Sequence, residues 1–151
     1  MDTTTFKEGT GSIVCDNSGA GATDPDDGDS FGFDFTAQDW TNYTQMGYWV
    51  RSANGLTAGD FNAAYDNNNT CASPIEEFDV GTIAANTWVF KTHTLGVART
   101  SVTTFCYTAT ASTALDTDQI WIDDIMVGPG VPTFSGSGPW TVSARILDLA
   151  N

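Results

Sequence analysis

The chain has 151 residues, enough for one domain with a core of its own, and 40 % of them are hydrophobic, which excludes a disordered chain. Five Lys and Arg stand against nineteen Asp and Glu, a formal net charge of −14. That excess repels nucleic acid and anionic membranes, so neither is an expected partner, and it favours solubility or the holding of a cation.

In chain order the sequence reads as strands separated by turn chemistry. The opening Met1-Asp2-Thr3-Thr4-Thr5 lacks signal-peptide features, which suits a chain made in a cytoplasm or a cut domain given a Met. Strands are expected over residues 11–16, 30–35, 46–52, 61–67, 75–80, 88–95, 102–110 and 119–127. Gly- and Asn-rich stretches such as Ser52-Ala53-Asn54-Gly55 and Asp66-Asn67-Asn68-Asn69 break them. Single helical turns are expected only near 37–40 and 83–86. Short strands at this spacing predict an all-β, two-sheet antiparallel sandwich.

Alternation assigns the faces. Met46, Tyr48 and Val50 share one side of their strand, with Trp49 and Arg51 on the other. Ile120 and Ile122 oppose Trp121 and Asp123, and Phe105 falls on the same side as Tyr107. After Val127, Gly128-Pro129-Gly130-Val131-Pro132 breaks the pattern. The expected organisation is a domain over 1–128, a Gly/Pro/Ser linker over 129–139 and an extra C-terminal strand over 140–151. Trp140, Val142, Ile146, Leu147 and Leu149 make that strand apolar enough to want a partner, and it is expected to serve assembly.

Three segments together resemble the carbohydrate-binding-module-like jelly rolls: Thr5-Phe6-Lys7-Glu8-Gly9-Thr10-Gly11-Ser12, then Gly47-Tyr48-Trp49-Val50-Arg51-Ser52, then Gln119-Ile120-Trp121-Ile122-Asp123-Asp124-Ile125. The resemblance covers roughly residues 3–128 by pattern. It implies a jelly-roll fold of a kind present in secreted glycan-degrading enzymes and in bacteriophage structural proteins. In similar domains another strand precedes the Glu-Gly segment, and the C-terminal strand is expected to replace that edge. The resemblance also implies one structural calcium ion, held by Glu8 and by Asp123 or Asp124, with Asp2 and the Lys7 backbone completing the set. The acidic run Asp24-Pro25-Asp26-Asp27-Gly28-Asp29 reads as an exposed loop.

For glycan binding, Trp49, Arg51, Trp121 and Asp123 are placed to line one sheet face, with Tyr107 beside them; rings stack on sugars, and Arg and Asp bond hydroxyls. The alternative for each ring is a place in the core. Cys15, Cys71 and Cys106 show no zinc spacing and are expected as three small buried side chains, a disulfide between two of them remaining open. His93 lies mid-strand, and no nucleophile elbow, phosphate loop or dinucleotide fingerprint occurs, so no enzyme is expected. The first expectation is a non-catalytic virion structural protein: a phage capsid decoration or cement protein, or a tail or fibre component. Its partners would be other virion proteins, copies of itself and, at the host, cell-surface glycan. The second is a carbohydrate-binding module of an extracellular glycan-degrading enzyme.

Overall fold

A computed structural model of the chain describes residues 1–16, 30–97, 99–110 and 119–129. Eight strands form, each within three residues of its expected bounds: β1 (Ile13–Asp16), β2 (Ser30–Gln38), β3 (Gln45–Ser52), β4 (Phe61–Asp66), β5 (Glu76–Asp79), β6 (Val89–Thr94), β7 (Val102–Ala109) and β8 (Gln119–Gly128). They make two four-stranded antiparallel sheets, ordered β1-β8-β3-β6 and β2-β7-β4-β5. The chain crosses between the two sheets at every connection but the β4–β5 hairpin, and these two strand orders are those of a jelly roll. The expected strand over 140–149 and the acidic loop over 24–29 lie outside the described residues.

The core forms between the sheets because each strand keeps period two. In β2, Phe31, Phe33 and Phe35 turn inward while Ser30, Gly32, Asp34 and Thr36 stay exposed. From β3, Met46, Tyr48 and Val50 are fully buried, and Phe61, Ala63 and Tyr65 of β4 meet them with Phe105 and Tyr107 of β7. Tyr48 packs edge-on against both Phe105 and Tyr107, which joins the two sheets by their aromatic rings.

The expected helical turns do not form. Ala37 and Gln38 continue β2 through an irregularity between Asp34 and Gln38. Ile83 instead bridges Leu56, and the turn after it is closed by Asn86 in the left-handed region at φ 57°.

His93 shows what this packing does to a titrating group. Its ring lies on Phe78, centroids 4.7 Å apart, and its Nε2 is 2.9 Å from the Tyr48 hydroxyl. Burial, then the Lys91 charge, lowers its pKa from 6.5 to about 4, against an opposing pull from Asp79. The unfolded chain therefore binds a proton in that interval that the folded chain does not. Stability from this group is complete above pH ~6.5 and is lost as pH falls toward 4. His93→Phe is expected to flatten the pH dependence of urea unfolding between pH 6.5 and 4; an unchanged slope would contradict it.

Candidate functional site

Four of the sequence-derived candidates do come together. Cross-strand register pairs Trp49 with Asp123 and Arg51 with Trp121, so all four stand on the outer face of the β1-β8-β3-β6 sheet. Phe90, opposite Trp49, joins them with ring centroids 5.1 Å apart. Tyr107 does not belong there. It is 2 % exposed and sits in the core on the other sheet, stacked on Phe31. Its parity with Phe105, a core residue, requires that placement.

The chain itself lies across part of the aromatic face, burying Trp121 and leaving Trp49 half-buried. The segment before β1 loops across it and returns on an antiparallel bridge between Asp2 and Ser12, whose backbone N–H groups each donate to the other's carbonyl at 2.9 Å. Trp121 Nε1 donates to Asp2 Oδ2 at 2.7 Å. Asp2 Oδ1 accepts from the Thr4 amide and hydroxyl and from the Thr5 amide, and these bonds hold its carboxyl well below the usual carboxylate range. Lys7 lays its ammonium 4.6 Å from the Trp49 ring centroid, and Arg51 lays its guanidinium 4.4 Å from that of Trp121 while bonding Asn86. Trp121 is left 5 % exposed. A sugar needs an open ring face, and this ring has none.

Of the acidic candidates, Asp2 and Glu8 belong to this strap, and Asp123 holds it. A bulge offsets β8 against β3, where Gly47 pairs Met126 but Trp49 pairs Asp123, and Asp124 takes the left-handed region at φ 52°. Asp123 Oδ2 accepts the backbone N–H groups of Lys7 at 2.7 Å and Glu8 at 2.9 Å, and its Oδ1 accepts that of Asp124. Asp123 thus clamps the backbone of the strap, and Asp2 is equally committed to it. Asp124 differs. Its Oδ2 is buried without a hydrogen-bond partner, and burial, then the charges of Asp123 and Glu8, pushes its carboxyl up. An orphaned carboxylate oxygen near a second carboxylate fits a hard cation, so Glu8 and Asp124 are the residues that would hold calcium. Among the described residues, no three His, Cys, Asp or Glu side chains gather into a ligand group.

Untying the clamp has a defined cost. Asp123→Ala removes two charge-assisted bonds to the strap and is expected to lower stability by about 1–3 kcal/mol. It should also raise acrylamide quenching of tryptophan fluorescence. Unchanged quenching would mean that the strap is held without Asp123.

The cysteines depart from expectation. Cys71 and Cys106 form a disulfide, Cα atoms 6.2 Å apart, and Cys15 alone of the three is a thiol. The pairing could not be read from spacing, because it depends on β7 lying beside β4. Sequence reasoning also missed Arg99, which is 4 % exposed and has the appearance of an ordinary loop cation. The four Lys and Arg among the described residues are all engaged within the molecule: Lys7 and Arg51 on the rings, Lys91 to the Thr82 carbonyl, and Arg99 in the interior. In comparisons with known proteins, no family model matches the chain and no characterised protein matches it in sequence.

Proposed function

We propose that this chain is a non-catalytic jelly-roll module that acts by seating on a larger assembly, as a virion structural protein of the capsid decoration or tail type. The observation that supports this reading over glycan binding is the strap: residues of the same chain bury Trp121 and lie over the half-buried Trp49. The net charge of −14 fits a particle surface that repels its neighbours. Copies of the chain and other virion proteins are the proposed partners, through the apolar residues of 140–149.

The proposal includes one structural calcium ion between Glu8 and Asp124. Asp124→Asn is expected to lower the thermal midpoint in calcium-containing buffer and to leave it unchanged in chelator, because a ligand stabilises only the state that binds it. Equal loss in both buffers would assign Asp124 a packing role instead.

One observation favours a second reading, the carbohydrate-binding module of an extracellular enzyme. The Cys71–Cys106 disulfide suits an oxidising compartment. The native mass by light scattering separates the readings. A stable oligomer, lost when residues 140–151 are deleted, is the expected result. A monomer that keeps its mass and fold after that deletion would overturn the assembly reading.

A further inference from the structure

The second sheet ends in an edge that suits a further strand. Of the four edge strands, β1 and β5 have four residues each, and β6 carries Lys91 and His93. β2 has nine residues, without proline or lysine, and Asp34 is its one charge. Among the described residues it pairs β7 on one side and no strand on the other. An edge this long is ordinarily guarded by Lys, Pro or a covering segment, because its backbone groups template pairing.

The flank beside this edge is apolar and incompletely covered. Phe78 of β5 stacks on His93 of β6, so those edges border one flank of the sandwich, and β1 and β2 border the other. Phe31, Phe33 and Phe35 of β2 are only half-buried, whereas the inward residues of β3 are fully buried. In the first sheet β1 pairs β8 no further than Ile122, and Ile125 and Val127 beyond it are half-buried too. The described chain ends at Pro129, two residues past Val127.

The residues that follow match this edge in reach, pattern and charge. The stretch 130–139 can span up to about 35 Å, more than the roughly 30 Å of a nine-residue strand. Val142, Ala144 and Ile146 then alternate with Thr141, Ser143 and Arg145, as Phe alternates with polar residues and glycine in β2. Arg145 is the one basic residue of 130–151, and the other four of the chain are engaged within the molecule. Asp34 is exposed on the outer side of β2.

We propose that residues 140–149 of one copy add to the β2 edge of a second copy as a fifth strand of its sheet. Val142, Ala144 and Ile146 cover the phenylalanine flank, and Arg145 lies beside Asp34. Backbone hydrogen bonds supply affinity in such strand addition, and the alternate side chains fix the register. The inference rests on the assembly reading and names the surface which that reading requires.

The test uses the full chain in two isotopically distinct pools, mixed so that filtered NOEs report contacts between copies alone. NOEs are expected between the β2 backbone and residues 140–149. Asp34→Arg and Arg145→Asp, each verified as folded, should raise the dissociation constant of the oligomer roughly three- to tenfold, and the combined variant should recover most of that loss. An oligomer whose NOEs place 140–149 on another edge, or on its own copy, would overturn the proposal and leave the assembly reading standing. So would a combined variant that associates no more tightly than the single ones. Monomers at every concentration would overturn both.

Discussion

Replacing Cys71 and Cys106 together by Ala is expected to lower stability by about 3–4 kcal/mol, and the thermal midpoint by roughly 10 °C. The pair closes a sequence separation of 35 residues, running from the β4–β5 connection through β5 and β6 to β7. In the native state β4 already lies against β7, so the crosslink adds little geometry there. Its weight falls on the unfolded chain, whose entropy the closed loop reduces. The same reasoning gives a second readout. Without the crosslink the unfolded chain exposes more surface, and the denaturant dependence of unfolding should steepen. Urea unfolding of the double variant beside the oxidised parent checks both. Equal stability, with three reactive thiols in the folded parent, would show that the bond does not form.

The second large effect is expected at Arg99. Its side chain donates to the Tyr43 carbonyl at 2.6 Å and to the Val97 carbonyl, and a guanidinium nitrogen lies 3.7 Å from Glu76 Oε2. Its own carbonyl accepts the Trp40 amide. Glu76 in turn accepts the Tyr65 hydroxyl and the Gly96 amide. One buried cation therefore ties the β2–β3 connection, the β6–β7 connection and the start of β5 at one end of the sandwich. Arg99→Met leaves a mostly buried carboxylate and two carbonyls without their donor, and about 3–5 kcal/mol should be lost. Arg99→Lys should recover less than half, because an ammonium cannot span these acceptors as a fork. In a double-mutant cycle Glu76→Gln should cost much less in the Arg99→Met background than alone. Additive losses would show that the two residues act separately.

Much of the fold was legible because the chemistry is local. Period-two alternation in Phe31-Gly32-Phe33-Asp34-Phe35 and in Met46-Gly47-Tyr48-Trp49-Val50 states both the strand and its inner face. The split of Ile120 and Ile122 from Trp121 was read correctly for the same reason. Turn residues located the strand ends to within three positions. What failed was non-local. The stretch Ala37-Gln38-Asp39-Trp40, expected as a helical turn, carries β2 onward because its direction is set by pairing with β7. Tyr107 was placed with the outer tryptophans although its parity with Phe105 argued against that. The disulfide, the Arg99 staple and the strap over Trp121 join residues 35, 56 and 119 positions apart, and no window of sequence contains both ends.

The aromatic face is where these lines meet. The composition of Trp49, Arg51, Trp121 and Asp123 suggests a glycan platform, while their partners Lys7, Asp2 and the backbone of Glu8 make the same atoms into a fastening. The direct measurement is affinity gel electrophoresis of the full chain through a panel of soluble polysaccharides, beside Trp49→Ala and Arg51→Ala variants verified as folded. If the face is structural, each protein will migrate in every polysaccharide gel as it does in a gel without polysaccharide. A polysaccharide that retards the parent but not Trp49→Ala would contradict this, showing that the strap opens and that the tryptophans bind sugar.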